Sequence, residues 1–304
     1  MQRLLQLVGE GLGVLLWILG VRRGVVLGNL RLAFPDWTED RRRAVGRAMF
    51  RNLGRMAPDF LFVTRLRPED LDRLFVYEPG ALERVLAARD RGKGVVVCTA
   101  HFGNFENLAA VHCLKGIPIT MITRRMNGGA LAGLWRRGRS RAGVQELVVN
   151  RGKTLQAALR AMRDGRVLGY VIDQNMTRKR AIFPTFFGVA AATTPTPAYL
   201  ALRAKAEIFF ALDVPLEDGR HRIVIEGPLR VPETGDRERD VLAFTQDLND
   251  RLERWVRLYP EHWYWVHRRW KTRPPEGPAG GPAGGEAGPG AVSGPGPAAP
   301  LTPA

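Results

Sequence analysis

The sequence predicts an α/β fold with a mixed, mainly parallel central sheet flanked by helices, and three observations carry that prediction. Short apolar runs such as Gly94–Thr99 and Val167–Ile172 read as strands buried on both faces. Such runs alternate with longer helical patterns, which implies crossover units around the sheet. Polar residues able to do chemistry, His101 and Asp173, stand just beyond the C-terminal ends of two of these strands. That is where an open α/β sheet places its site.

The first element is an apolar run, Leu4 to Val21, carrying one charge, Glu10, and followed at once by Arg22 and Arg23. A cleaved signal peptide is disfavoured, because the basic residues follow the apolar run and no small-residue cleavage site does. The run is at the short end of what crosses a bilayer. It also suits an interfacial helix with Gln6 and Glu10 turned toward water, or a helix packed on the globular core. Residues 1–23 are read as a membrane-associated helix, span or interfacial, with the following chain on the cytoplasmic side. Gly9, Gly11 and Gly13 have the wrong spacing for a dinucleotide fingerprint, and no strand precedes them.

Residues Asp36 to Val63 read as a helix capped by Asp36 or Thr38, and Pro79 to Arg91 as another ended by Gly92. The strands expected are Gly94–Thr99, Ile117–Thr123, Glu146–Val149, Val167–Ile172, Glu207–Val214 and Arg222–Glu226. Helices are expected over Asn104–Leu114, Ala130–Arg141, Thr154–Asp164, Pro195–Ala206 and Asp236–Leu258. Residues 24–273 form the globular domain on this reading. From Pro274 to Ala304 the chain is Gly, Pro and Ala with almost no apolar bulk, so residues 274–304 are expected to be a disordered tail.

The formal net charge is +16, from 46 Lys and Arg against 30 Asp and Glu. Nucleic acid, an anionic membrane surface and an acidic protein all suit that balance. A nucleic-acid-binding protein is the non-enzyme alternative, but no recognition helix, RNP-type aromatics or zinc motif supports it. Cys98 and Cys113 lie in apolar surroundings without metal-ligand spacing, so they read as packing residues in a reducing compartment. His112, His221 and His262 form no ligand cluster, and no metal site is expected.

The stretch Ala100-His101-Phe102-Gly103-Asn104-Phe105-Glu106 carries most of the information. An imidazole and a carboxylate within reach of one another make a general base with its orienting partner. Five positions within one helix lie about 140° apart, so His101 must precede the helix for the pair to meet. Asn104 is a good N-cap, which puts Glu106 in the first turn, where the helix dipole favours a carboxylate. Gly103 permits the sharp turn from strand to helix.

Those residues sit among blocks that together resemble the bacterial late acyltransferases of lipid A biosynthesis, within the wider glycerolipid acyltransferase superfamily. The blocks are Asn29-Leu30-Arg31-Leu32-Ala33-Phe34-Pro35, His101 to Glu106, Thr123-Arg124-Arg125, Arg137-Gly138-Arg139-Ser140-Arg141 and Asp173-Gln174-Asn175. Phe186-Phe187-Gly188, Ala192-Thr193-Thr194-Pro195 and the stretch Pro260 to Pro274 complete the set. Phe105 stands where many members have Trp. A related group that acylates mannosylated phosphatidylinositol is the second reading, since its C-terminal block looks less like this one.

The resemblance implies transfer of a fatty acyl chain from acyl carrier protein, or coenzyme A, to a hydroxyl of a lipid A precursor at the cytoplasmic face of the inner membrane. It implies no cofactor beyond that co-substrate, and no nucleic-acid partner. His101 would be the general base, and Glu106 would fix its tautomer and steady the imidazolium. Backbone N–H groups near Gly103 and an arginine are the candidates for stabilising the oxyanion. Arg124, Arg139 and Arg141 would bind substrate phosphates through their guanidinium groups. Asp173 would hold an arginine or a sugar hydroxyl. Phe186-Phe187-Gly188 would line an acyl groove, with core packing as the alternative. The aromatic and basic C-terminal block fits either interfacial anchoring or a docked segment.

Overall fold

Strand β2, Val95–Thr99, is the centre from which the sheet is built outward. Val96 and Cys98 point into one apolar core and Val95 into the other, so the strand is covered by helices on both sides. The computed structural model describes residues 2–123, 129–149 and 154–275.

Four helices come first: α1 (Gln2–Ile18), α2 (Arg23–Ala33), α3 (Glu39–Val63) and α4 (Pro68–Leu74). Strand β1 (Phe75–Tyr77) and α5 (Ala81–Asp90) lead into β2. Then follow α6 (Phe105–Leu114), β3 (Ile119–Thr123), α7 (Ala130–Ala142), β4 (Gln145–Val148), α8 (Thr154–Arg163) and β5 (Val167–Val171). A small hairpin of β6 (Thr185–Phe186) and β7 (Val189–Ala190) precedes α9 (Thr196–Ala204), β8 (Glu207–Pro215), β9 (His221–Leu229) and α10 (Arg237–Leu258).

The seven-stranded sheet has the order β1-β9-β8-β2-β5-β3-β4. The run from β8 to β4 is parallel, and β9 joins β8 antiparallel, with β1 parallel to β9. The sheet is therefore mixed and mainly parallel, as the alternating pattern predicts. Helices α8, α9 and α10 cover one face, and α5 and α6 the other. Thr38 caps α3 through the Arg41 N–H, and Asp236 caps α10 through the N–H groups of Glu238 and Arg239.

The N-terminal helix is oriented opposite to the interfacial expectation. Gln6 donates to Asp59 of α3, and Glu10 lies 3.8 Å from Arg55, so both polar side chains face the protein. Leu4, Leu5, Leu12, Leu15 and Ile18 are exposed instead. Small residues produce this arrangement. A Cβ on Gly13 would stand 2.0 Å from the Phe50 carbonyl oxygen, and one on Gly54 2.0 Å from that of Gly9. Only glycine lets the two backbones touch. Among the described residues, no single helix is long and apolar enough to cross a membrane; α1 and α2 meet that test only as a pair bent by 85°.

The C-terminal block is a docked segment. Trp263, Trp265, Arg269 and Trp270 are all buried, and Asn29 of α2 donates to the carbonyls of Trp265 and His267. Phe186 and Phe187 pack into the same aromatic core, against Trp263, Trp270, Phe34 and Trp265. They are core residues rather than the wall of an acyl groove. Gly188 (φ +70°) completes a two-residue turn with Phe187 (φ +53°), both left-handed as a tight hairpin requires.

Replacing Gly54 by Leu should prise α1 from α3. We expect faster tryptic cleavage after Arg22 and Arg23, and a loss of stability on the order of 1–3 kcal/mol. Unchanged cleavage and melting temperature would show that α1 does not need this close contact.

Candidate active site

Parallel pairing of β2 with β5 sets Thr99 opposite Val171. The Ile172 N–H donates to the Thr99 carbonyl, continuing the ladder past the strand ends. Two residues beyond each of the paired positions stand His101 and Asp173. Strand order, not sequence spacing, therefore brings them together across 72 positions of chain.

The contact is close and specific. His101 Nδ1 lies 2.8 Å from Asp173 Oδ1, and the His101 backbone N–H donates to Oδ2 at 3.0 Å. The Trp263 indole also donates to Oδ2, at 2.9 Å. The Asp173 side chain is 3% exposed and that of His101 17%, so the imidazole alone can meet a substrate. The C-terminal segment clamps the turn: Tyr264 N–H donates to the His101 carbonyl, and Gly103 N–H to that of His262. Gly103 is left-handed (φ +54°), and a Cβ there would lie 1.8 Å from the Asp213 carbonyl oxygen. Its N–H is committed to His262 and is not free to stabilise an oxyanion.

Burial alone would lower the His101 pKa, but the charge and hydrogen bond of Asp173 outweigh it and raise it above the usual 6.5. Burial would likewise raise the Asp173 carboxyl, yet His101 and the Trp263 donor bring it down to about 2. An ionised Asp173 on Nδ1 fixes the tautomer with its proton there. Nε2 is left with its lone pair, 3.3 Å from the Gln174 amide nitrogen.

Glu106 does sit in the first turn of α6 behind the Asn104 cap position, as its spacing predicts. It does not hold the imidazole. Both its oxygens accept from Arg139, at 2.8 and 2.5 Å, while the remaining arm of Arg139 pairs with Glu146. The expected tautomer-fixing role thus belongs geometrically to Asp173, and Glu106 acts on His101 only through its charge, which favours the imidazolium. Asp173 in turn holds an imidazole and an indole rather than an arginine or a sugar.

Two of the three expected phosphate-binding arginines are engaged within the fold. Arg139 is buried and its guanidinium is taken up by two carboxylates. Arg141 donates to the Thr64 carbonyl at the C-terminal end of α3. Arg124 lies outside the described residues. Gly188 belongs to the hairpin turn described above. Trp263, Gln174 and Glu146 are the site residues that sequence reasoning missed. Their only signal was membership of blocks that carried the resemblance or of an expected strand.

An apolar cavity of about 40 Å³ opens between the sheet and α6. Thr99 and Phe105 line it on the His101 side, and Leu108, Ile119, Met121 and Val167 continue it. The Phe105 ring meets the His101 ring edge-on at 4.7 Å. The Thr99 hydroxyl is buried without a hydrogen-bond partner among the described residues.

Replacing Arg139 by Met would strand Glu106, 5% exposed, without its cation. The expected loss is about 3–5 kcal/mol in denaturant unfolding. A variant of native stability that lost only substrate affinity would return Arg139 to the substrate-binding role.

Comparison with known proteins identifies the family. Residues 2–272 match the family described as bacterial lipid A biosynthesis acyltransferase. Similar proteins include the lipid A biosynthesis palmitoleoyltransferase of Escherichia coli, 26% identical over 255 residues covering 83% of this chain and 80% of the relative. The lauroyltransferase of the same organism is 26% identical over 273 residues, 88% of this chain and 85% of the relative. A phosphatidylinositol mannoside acyltransferase of Mycolicibacterium smegmatis is 26% identical over 192 residues, covering 62% and 60%. With the family matched over nearly its whole folded length, the chain belongs to the bacterial lipid A biosynthesis acyltransferases.

Proposed function

We propose that this chain transfers a fatty acyl group from acyl carrier protein, or coenzyme A, to a hydroxyl of a lipid A precursor at the cytoplasmic face of the inner membrane. The observation that carries the mechanism is His101, whose Nδ1 is held by Asp173 while the Nε2 lone pair meets only the neutral Gln174 amide among the described residues. Nε2 takes the proton as the acceptor O–H bond breaks. The oxygen bonds to the thioester carbon, and the carbonyl π pair moves onto its oxygen. On collapse that pair returns, the C–S bond breaks, and the departing thiolate takes the proton from Nε2. Asp173 stabilises the imidazolium throughout without being protonated itself. Glu106 and Arg139 act from beneath, as a buried frame whose Glu106 charge also favours the imidazolium.

The exposed leucines of α1, ending at the exposed Arg22 and Arg23, support a helix lying against the anionic leaflet rather than crossing it. That arrangement brings a lipid acceptor to the protein without lifting its acyl chains into water.

Deletion of the gene should remove one acyl chain from lipid A, read by mass spectrometry, and the His101→Ala form should fail to restore it. Intact lipid A with a change in phosphatidylinositol mannosides would move the assignment to the second acceptor. In pH profiles, the rate should rise as pH climbs through a His101 pKa above 6.5, because only the neutral imidazole accepts a proton. In Asp173→Asn the strongest opposition to burial is lost and only the Glu106 charge still favours the imidazolium, so the acid limb should move to lower pH while the plateau falls by about 10⁴-fold. A limb that stayed in place would remove Asp173 from contact with the base.

A further inference from the structure

Gln174 has no place in the mechanism so far, yet it touches the atom on which that mechanism turns. Its amide nitrogen lies 3.3 Å from His101 Nε2. Neighbouring residues thus take both ring nitrogens, Asp173 the Nδ1 side and Gln174 the Nε2 side. Resting on the acyl-transfer reading above, we propose that the Gln174 side-chain amide is a catalytic residue, the hydrogen-bond donor to the oxyanion of the tetrahedral intermediate.

Three observations place the amide for that task. The backbone on either side is fixed. Asp173 is bound by His101 and Trp263. Asn175 is held by its N–H to His267 Nε2 at 2.8 Å and by a pair of bonds to Thr272, at 2.9 and 3.0 Å. Gln174 therefore projects from a stretch anchored before and after it. Its side chain makes no hydrogen bond other than that to His101 among the described residues, so the amide can be released without breaking the fold. The nearby backbone alternative is closed, because the Gly103 N–H already serves the His262 carbonyl.

The sequence of contacts follows from valence. In the free enzyme the amide N–H occupies the Nε2 lone pair. An incoming hydroxyl must take that lone pair to deliver its proton, which frees the amide N–H beside the attacking oxygen. The carbonyl oxygen gains its negative charge two bonds away from that oxygen, on the same carbon and within reach of the freed donor. A donor already positioned there stabilises the charge without solvent reorganisation.

The test compares wild type, Gln174→Ala and Gln174→Glu with acyl carrier protein thioester and lipid A precursor, each on the alkaline plateau of its own pH profile. There His101 is neutral in all three. A carboxylate has the shape of the amide but no proton to donate, so both variants should lose about 10²–10³ in kcat with KM for both substrates essentially unchanged. Both should keep the wild-type melting temperature. Wild-type kcat in Gln174→Glu would overturn the donor role and leave Gln174 a positioning residue for the imidazolium. A higher kcat/KM in Gln174→Ala would make it a plug over the base, and a loss confined to KM would make it a ground-state contact. No transfer by the wild-type enzyme would instead overturn the acyl-transfer reading itself.

Discussion

The structure depends on a single buried hydrogen bond, that between Asp173 and the Nδ1 of His101. A carboxylate taken this far from water is stable only with its acceptor sites filled. Here the fill comes from three directions: the imidazole, the His101 backbone N–H and the Trp263 indole. The donors come from two separate parts of the fold. The first two come from the turn after β2, and the third from the C-terminal segment. Neighbouring β2 and β5, a docked C-terminus and an ionised Asp173 are therefore one constraint seen three ways.

A second buried charge system lies under α6. Glu106, Arg139 and Glu146 join the helix after β2 to α7 and β4, so the turn bearing His101 rests on a frame of paired charges. Ion pairs of this kind add little net stability but are costly to break. Arg269 is a different case. It is fully buried, its guanidinium donates to the Ala192 carbonyl and the Thr193 hydroxyl, and burial lowers its pKa to about 10 against the opposing charge of Asp173. It fixes the loop before α9 to the C-terminal segment and keeps a positive charge on the side of the site where Asp173 is ionised.

Much of the fold was legible because its signals are local. Apolar runs flanked by Gly and polar residues located the strands of the parallel run, and the cap candidates Thr38 and Asn104 set helix starts within a few residues. Strand β1, only three residues long, and the Phe187-Gly188 hairpin escaped, since neither has a period to detect. The site was half legible. His101 and Asp173 were both placed at the sheet edge, but which carboxylate meets the imidazole depends on β5 lying beside β2. Spacing favoured Glu106, five residues away; the sheet chose Asp173, seventy-two away. Helix α1 shows the same limit. Its polar residues were read as facing water because most helices turn them there, whereas glycines 9, 13 and 54 allow a backbone contact that turns Gln6 and Glu10 inward.

The most direct measurement of the central pair is a nitrogen-15 NMR titration of His101 in the folded protein. The account predicts a neutral ring protonated at Nδ1, with a downfield proton from its bond to Asp173, and a pKa above 6.5. A ring protonated at Nε2 when neutral, or a pKa below the ordinary histidine value, would show that Asp173 does not control the base, and the mechanism built on it would not hold.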